Sequence, residues 1–454
     1  MTQQSSTLLK PVSEKERLFN MDVLRGFALL GILLMNIPFF ALPSQYSLAW
    51  NTNTHNINFW FDTIITIFFE GKMRALFSLL FGVGILLFTA NKEGSGKQIT
   101  WLYYRRMLWL CLFGLIDAHV LLWMGDILFL YGLCGSIAYL FRKMKPIYLA
   151  LGVPIAIILG FTFNAMYISG IRTKLLNYNA AQSAIEKKMS LSNKQKEDVR
   201  AWEDFRKEQL PDQKEIVSTT AKMKSGYASV ASVIRPQAFL FETTYLFFGI
   251  WDPLVLMLFG MALYKWGFFS NTWQSKTYKK LILLGYSLGL PLVIYSYYFS
   301  FTYTYSIAAK LSYLEKHPIL WTKLIYDFQR LLLMMAHASV IILIIRSKVL
   351  TGLTKRLAAV GRMAFTNYIM HTVICTTLFF GYGFNLFGDL EYYQLYAVVL
   401  AIWLFQLWIS PIWLKYNLFG PLEWVWRSLT YWKKFPLKRK KEYETNIEEV
   451  KLSI

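Results

Sequence analysis

Long stretches of the chain contain apolar residues without a single charged side chain. Residues 146–169, 281–309 and 392–414 are three such stretches. Each is longer than the roughly 20 residues that an α-helix needs to cross about 30 Å of hydrocarbon. The pattern therefore predicts an all-α, polytopic bundle of about ten membrane-spanning helices. We place the spans at 22–42, 58–90, 102–121, 126–141, 146–169, 239–265, 279–300, 324–346, 357–380 and 392–414.

Charged residues are few, and their distribution predicts the topology. Only 17% of the 454 residues are charged, which excludes a disordered chain and a conventional cytosolic enzyme. The net charge is +21, and basic residues cluster in both terminal segments and in alternate loops between the spans, which puts these clusters on one side of the membrane. The short loops on the opposite side, 43–57, 122–125 and 381–391, contain no Lys or Arg. This bias predicts that both termini are cytoplasmic and that the basic surface meets anionic lipid headgroups, not nucleic acid.

A polar segment at 170–238 interrupts the series of spans. Its mixed charge and loosely helical apolar spacing predict one or two amphipathic helices on the outer face. The resulting divisions are a cytoplasmic tail at 1–21, spans at 22–169, the insertion at 170–238, spans at 239–414 and a basic interfacial tail at 415–454. Within that last segment, Glu423 and Arg427 have the i,i+4 spacing of an ion pair on a helix at the cytoplasmic surface.

The cysteines predict no special chemistry. Cys111, Cys134 and Cys375 all lie in apolar spans, and their odd number lacks the spacing of a metal site. The sequence therefore predicts neither a disulfide framework nor a bound metal.

Polar residues at membrane depth are costly, so each is a candidate functional residue. Arg25 and Asn36 lie eleven residues apart in the first span and share one face, about 16 Å apart along the axis. Asp22 has the i,i+3 spacing to pair with Arg25. The alternative for Arg25 is that it extends to the inner headgroups, and for Asn36 that it joins neighbouring helices.

The second span contains a group of charges between two apolar runs. Glu70 and Arg74 have the favoured i,i+4 order of an ion pair, whereas Lys72 lies on another face without an evident partner. We expect a helix break or a water-filled cavity at this point. The Lys72 ammonium is a candidate for binding an anionic substrate group.

His119 and Asp126 lie on either side of a short turn between the third and fourth spans. An imidazole oriented by a carboxylate is suited to act as a general base. Equally, Asp126 has the position of a helix N-cap, and His119 has that of an interfacial anchor. His55, in the first outer loop, is a candidate for the mouth of the same cavity.

Five motifs, in order, resemble the YeiB-type bacterial inner-membrane proteins of unknown function. They are MDVLRGFALLGILLMNIPFFALP, GKMRALFSLLFGVG, RR…GLIDAHVLLWMGDILFLYGLCG, GRMAFTNYIMHTVICTTLFF and GPLEWVWRSLT. By resemblance that family is grouped with the transmembrane acyltransferases, including the acyltransferase-3 and heparan-alpha-glucosaminide N-acetyltransferase-like enzymes. The resemblance implies a multi-pass protein of the bacterial inner membrane. It also implies an acyl-CoA donor, most simply acetyl-CoA, from the cytoplasm and a sugar hydroxyl or amine as acceptor outside.

The resemblance also implies roles for individual residues. Acyltransferase-3 enzymes have an Arg, ten residues and then a His on the first helix; here Arg25 is followed by Asn36 at the His position. The glucosaminide acetyltransferase-like branch also has Asn there and a His in its first luminal loop, whose nearest counterpart is His55. The His and GDIL of HVLLWMGDIL match the YeiB-type signature, which favours His119 and Asp126.

The predicted mechanism combines these residues. His119, oriented by Asp126, deprotonates the acceptor, and Asn36 donates to the developing oxyanion. Lys72 lines the central cavity. The basic residues assigned to the donor phosphates are Arg25, Arg105 and Arg106.

Two other classes of protein remain open from the sequence. A solute transporter or channel would use His119, Asp126 and Glu70 as a proton relay. A membrane scaffold or sensor would use the outer insertion to bind a partner. The sequence leaves open the acyl group, the acceptor and whether the chain forms a homodimer.

Overall fold

A computed structural model describes residues 19–43, 54–90, 96–209, 213–270 and 272–439. Most of the predicted N-terminal tail, much of the first outer loop and the end of the C-terminal tail lie outside these residues. The described chain is all-α, with one isolated backbone bridge between Asn417 and Lys438. Tyr139–Phe141, directly after α5, forms a 3₁₀ turn.

The helices are α1 (Phe19–Ala41), α2 (Ile57–Phe68), α3 (Lys72–Ala90), α4 (Lys97–His119), α5 (Leu128–Ala138), α6 (Pro146–Glu186), α7 (Asn193–Gln209), α8 (Gln213–Met223), α9 (Tyr227–Glu242), α10 (Leu246–Gly249), α11 (Trp251–Lys265), α12 (Ser275–Tyr303), α13 (Ile307–Lys316), α14 (Thr322–Ser347), α15 (Thr351–Arg362), α16 (Ala364–Phe379), α17 (Tyr392–Tyr416) and α18 (Pro421–Tyr431).

Seven segments of the described chain are long and apolar enough to cross a membrane. They are Phe19–Ala41, Ile57–Ala90, Pro146–Glu186, Leu246–Lys265, Ser275–Tyr303, Thr322–Ser347 and Tyr392–Tyr416. The chain therefore has the predicted class of fold, an all-α polytopic bundle.

Three of the ten predicted spans are not among these seven. The span predicted at 102–121 corresponds to α4, which carries Arg105, Arg106 and Asp117. The span predicted at 126–141 corresponds to a shorter apolar segment, Leu128–Phe141. The span predicted at 357–380 is divided between α15 and α16 near Met363. By length and composition alone, seven segments of the described chain qualify as spans, and these three do not.

Interruptions in the helices also fall at two further predicted spans. The expected break at the charged group of the second span is confirmed, because α2 ends at Phe68 and α3 begins at Lys72. Gly71 between them has a φ of +71°, a conformation that favours glycine. The span predicted at 239–265 is also interrupted, between α9 and α10. By contrast, the boundary expected at 169–170 falls inside the continuous helix α6, and α7 and α8 follow it.

Helix α1 lies among helices from both ends of the chain. It packs against α3, α15, α16 and α17. At its crossing with α15, a Cβ on Gly26 would lie 2.0 Å from the Leu357 carbonyl oxygen, and one on Gly361 would lie 1.9 Å from the Asp22 carbonyl oxygen. The two glycines therefore permit backbone contact, as small residues do between membrane helices. This crossing brings the start of α1 beside Arg362.

The non-helical segment 120–127, between α4 and α5, enters the bundle with its middle residues buried. Leu122 is fully buried, and Trp123, 3% exposed, stacks on Phe40 with ring centroids 3.8 Å apart. Irregular backbone at membrane depth is tolerated where protein covers it or where it lines a cavity. The segment places Asp126 in the interior of the bundle.

Candidate functional site

A cavity of about 270 Å³ lies between α1, α3, α4, α5, α16 and α18. Its walls are largely apolar and aromatic. The apolar lining includes Phe77, Leu80, Phe81, Ile85, Phe88, Met107, Leu110, Leu128 and Phe365. Gly84 of α3 also lines it, and a Cβ there would meet no atom within 4 Å. The cavity is therefore suited to an elongated apolar group.

Charged side chains also line this cavity. Among the described residues these are Arg25, Arg106, Arg362, Arg427, Asp22 and Glu423. The Arg106 guanidinium lies 4.1 Å from the ring centroid of Trp426 and 5.2 Å from that of Phe88. The Trp426 indole N–H donates to the Arg106 carbonyl oxygen at 2.9 Å. Arg427 similarly lies 4.0 Å from the Phe419 ring centroid. The aromatic faces orient these two guanidinium groups, and stacking on a ring does not remove the charge of a cation.

Tyr368 of α16 lines the cavity and is held by segment 120–127. Its hydroxyl oxygen accepts hydrogen bonds from the Trp123 indole N–H and the Ile127 backbone N–H, both at 3.2 Å. The hydroxyl itself donates to Asp126 Oδ1 at 3.5 Å. Asp126 Oδ2 accepts from the Phe129 backbone N–H at 2.9 Å. A hydroxyl and a carboxylate are thus fixed together at the edge of the cavity.

Asp117 of α4 forms a carboxyl pair with Asp126. The two carboxyl groups are close enough to interact directly. Asp117 Oδ2 accepts from the Thr372 hydroxyl at 3.3 Å, whereas its Oδ1 is buried without a donor among the described residues. Two carboxylates in contact repel, and one proton between them relieves the repulsion and supplies the absent donor. The pair can therefore hold and release a proton.

Comparisons with known proteins place this chain among uncharacterised relatives. Residues 263–433 match a family described as protein of unknown function (DUF418). The chain is 28% identical to uncharacterized protein YxaH of Bacillus subtilis, over 95% of this chain and 98% of that protein. It is 29% identical to uncharacterized protein YeiB of Escherichia coli, over 91% of this chain and 96% of that protein. The chain is similar to these two proteins over nearly its whole length. No solved structure matches it.

Some of the predicted site residues do meet in the cavity. Asp22, Arg25 and Arg106 all line it, and Arg25 contacts Asp22 at 3.2 Å as the spacing predicts. Arg105 instead lies outside the lining, 5.8 Å from the Trp432 ring centroid. Asn36 is half-buried on α1, also outside the lining.

The predicted contact between His119 and Asp126 is not formed. His119 Nε2 lies 2.8 Å from Glu242 Oε2 on α9. His119 lies eleven residues after Leu108 and seven after Leu112, and both leucines are exposed on α4. At about 100° per residue, the His119 side chain points within about 20° of each leucine. Asp117, two residues away, points roughly 200° round the axis. His119 therefore faces away from the carboxyl pair.

The remaining predicted histidine, His55, also lies outside the cavity lining. It is exposed just before α2. Asp126 takes the alternative role that its position predicts, because it accepts from a backbone N–H in the first turn of α5.

The predicted ion pair between Glu70 and Arg74 is replaced by contacts across helices. Arg74 contacts Asp252 of α11 at 3.1 Å, and Glu70 accepts from the Tyr326 hydroxyl at 2.8 Å. Asp252 also contacts the buried Arg330 of α14. The helix break turns Glu70 and Arg74 toward different neighbours, which i,i+4 spacing on a continuous helix does not anticipate.

Lys72 has a structural partner and lies outside the cavity lining. Its side chain is only 1% exposed, and its ammonium donates to the Thr66 carbonyl oxygen at 2.7 Å. Carbonyls in the last turn of a helix lack intrahelical partners, and a Lys near a helix end satisfies them. Lys72 therefore closes the end of α2 at the break.

Glu423 caps α16 and does not pair with Arg427. Its Oε1 accepts from the backbone N–H groups of Phe365 and Thr366 at 2.7 and 3.1 Å, and its Oε2 accepts from the Thr366 hydroxyl at 2.5 Å. Burial raises the pKa of this carboxyl, although the hydrogen bonds oppose the shift. Through this contact α18 becomes a wall of the cavity, where the sequence had predicted a surface helix.

Sequence reasoning missed Tyr368 and Asp117 as site residues. Tyr368 lies in the GRMAFTNYIMHTV motif, where a tyrosine in an apolar run carries no distinctive signal. Asp117 opens the DAHVLLWMGD motif, and its acid at membrane depth was an available signal. Only the fold of segment 120–127 joins the two residues.

Proposed function

We propose that this chain is a multi-pass acyltransferase of the bacterial cytoplasmic membrane, with both termini inside. It takes an acyl group from a cytoplasmic acyl-CoA, in the first instance acetyl-CoA. It transfers the group to a hydroxyl or amine, most simply of a sugar, at the outer side. One observation carries the proposal: a single cavity joins guanidinium groups, apolar walls and the hydroxyl–carboxyl group at Tyr368.

The lining of the cavity fits the chemistry of such a donor. Arg25, Arg106 and Arg427 offer charged donors for phosphate oxygens, which bind guanidinium groups through two parallel hydrogen bonds. The apolar walls suit the uncharged arm and the acyl chain. An acyl thioester that follows the walls then meets Tyr368, whose hydroxyl is fixed in the lining.

The carboxyl pair supplies the proton transfer in this mechanism. Asp126, with Asp117, takes the proton from the acceptor hydroxyl or amine as that atom bonds to the thioester carbonyl carbon. The Tyr368 hydroxyl donates to the developing oxyanion. The carbon–sulfur bond then breaks, and the thiolate receives the proton from the carboxyl pair. His119, held by Glu242, is the rival general base.

Filling the cavity tests donor binding. We expect acetyl-CoA to raise the melting temperature of the purified protein saturably, with ATP as the control ligand. Gly84→Phe should abolish this shift because it places a ring in open cavity space, whereas Gly84→Ala should preserve it. Arg106→Gln should weaken the binding. An unchanged shift in Gly84→Phe would exclude this cavity as the donor site.

Paired variants distinguish the two candidate bases. We expect Asp126→Asn to lower the rate of acyl transfer by roughly 10²-fold or more, as loss of a general base does. His119→Ala should keep the rate within a few-fold of the parent. Full activity in Asp126→Asn together with loss in His119→Ala would instead assign the role to His119.

One observation favours a solute carrier as a second candidate. The break between α2 and α3 and the break before α11 meet at the ion pair of Arg74 and Asp252, 3.1 Å apart. Interrupted helices with internal charges are typical of transporter binding sites. Solute flux in proteoliposomes that survives Gly84→Phe but is lost in Asp252→Asn would support the carrier over the acyltransferase.

A further inference from the structure

A second cavity, of about 540 Å³, lies beside the first between the start of α1, α15, α17 and the segment that follows α18. Four cations line it: Lys355, Arg362, Lys415 and Arg439. Its one lining carboxylate within the described chain is Asp22, which already contacts Arg25 at 3.2 Å. The described lining therefore carries more positive than negative charges.

The chain fixes this basic lining through its C-terminal segment. Leu418 donates its backbone N–H to the Leu437 carbonyl at 2.8 Å, and Arg439 donates its own to the Tyr416 carbonyl at 3.0 Å. The Arg439 guanidinium Nε also donates to the Leu414 carbonyl oxygen at 3.0 Å. These bonds hold Arg439 against the end of α17, beside Lys415. The site is thus built by backbone hydrogen bonds between the chain at residues 416–418 and the chain at residues 437–439.

Like charges brought together in a partly enclosed space repel one another, and a bound anion offsets that cost. The Lys355 ammonium is exposed and has no hydrogen bond or ion pair within the described residues. Leu414 and Pro411 add an apolar floor beside the cations. Cations above an apolar floor, on the side that carries the basic loops, match a phosphate headgroup at a membrane surface.

We propose that this second cavity binds a phosphate ester. Two sources share that chemistry: the headgroup of an anionic phospholipid and the phosphates of a soluble nucleotide. The apolar floor and the open side of the cavity favour the lipid. The inference does not rest on the acyltransferase proposal, although Asp22 and Arg362 line both cavities.

Matched charge variants test the site. The test variant is Lys355→Gln with Lys415→Gln, and the control is Lys433→Gln with Lys434→Gln. The two control lysines are exposed and lie outside both linings, so each variant removes two positive charges from the same basic region. The probes are phosphatidylglycerol and adenosine 3′,5′-bisphosphate, each titrated into protein held in phosphatidylcholine micelles, with thermal stabilisation as the measurement.

We expect phosphatidylglycerol to stabilise the parent and the control variant saturably. The test variant should bind it roughly thirtyfold more weakly, the loss expected for two basic residues at an anionic surface. The same pattern with adenosine 3′,5′-bisphosphate, and not with the lipid, would support the site and assign the soluble source. Equal affinity in test and control variants, or stabilisation by neither probe, would overturn the proposal.

A further variant separates this site from the acyl-donor cavity. Gly84→Phe should leave binding of phosphatidylglycerol unchanged, because Gly84 lines only the first cavity. Loss of acetyl-CoA binding in Gly84→Phe with retained lipid binding would show that the two cavities act independently. Loss of lipid binding in that variant would contradict a distinct second site.

Discussion

Replacing Glu423 by Ala should strongly destabilise the junction between α18 and α16. The carboxylate is the acceptor for two backbone N–H groups, those of Phe365 and Thr366, and both residues are buried. A buried donor left without an acceptor costs about 1–3 kcal/mol. Two such donors give a loss of roughly 3 kcal/mol in the free energy of unfolding, allowing for water that enters from the adjoining cavity.

Two comparison variants make this prediction specific. Glu423→Gln keeps one acceptor oxygen, and it also removes a charge whose burial raises the pKa of the group. We therefore expect a loss of about 1 kcal/mol or less from Glu423→Gln. Arg427→Ala removes the partner that i,i+4 spacing suggests but that the structure does not use. That variant should lower the free energy of unfolding less than Glu423→Ala does, because it leaves both backbone N–H groups with their acceptor.

Thermal unfolding in detergent, followed by Trp fluorescence, measures all three variants. Binding of acetyl-CoA should fall in Glu423→Ala, because α18 carries Trp426 and the cavity wall that holds Arg106. A free energy of unfolding that is nearly unchanged in Glu423→Ala would refute the capping argument.

Other variants test the bundle itself. Gly82→Ala should lower the free energy of unfolding by about 3 kcal/mol or more, because its Cβ would lie 2.0 Å from the Met257 carbonyl oxygen. Gly84→Ala, two residues along the same helix, should be nearly neutral. Comparing the melting temperatures of the two variants tests this prediction. Arg330→Met should lower the free energy of unfolding by about 3 kcal/mol, because it removes the buried cation that pairs with Asp252. In a double-mutant cycle, adding Asp252→Asn should recover part of that loss.

Local patterns in the sequence were sufficient to predict several features of the site. The i,i+3 spacing of Asp22 and Arg25 on a continuous helix predicted their contact, which the structure contains. The run of charges around Lys72 predicted the helix break. Both predictions depend on neighbours along one helix, for which backbone geometry alone fixes the distances.

Predictions that needed a partner from another helix fared differently. The sequence offered Asp126 as the partner of His119, yet the structure supplies Glu242 from a helix more than a hundred residues away. Similarly, Arg74 meets Asp252 and not Glu70. Spacing along the chain does not specify which helix lies alongside, and a break in a helix rotates the residues that follow it.

The sequence by itself determined that this protein folds in a membrane and that its secondary structure is helical. Long uncharged runs have to be buried in hydrocarbon, where only internally hydrogen-bonded helices are stable. The tertiary structure alone decided the site. It inserted segment 120–127 into the bundle, turned α18 into a wall and brought Asp117, Asp126 and Tyr368 together. The physical reason is that the carboxyl pair and the cavity depend on contacts between helices, and those contacts are set by how the glycine crossings and buried aromatic rings let the backbones approach.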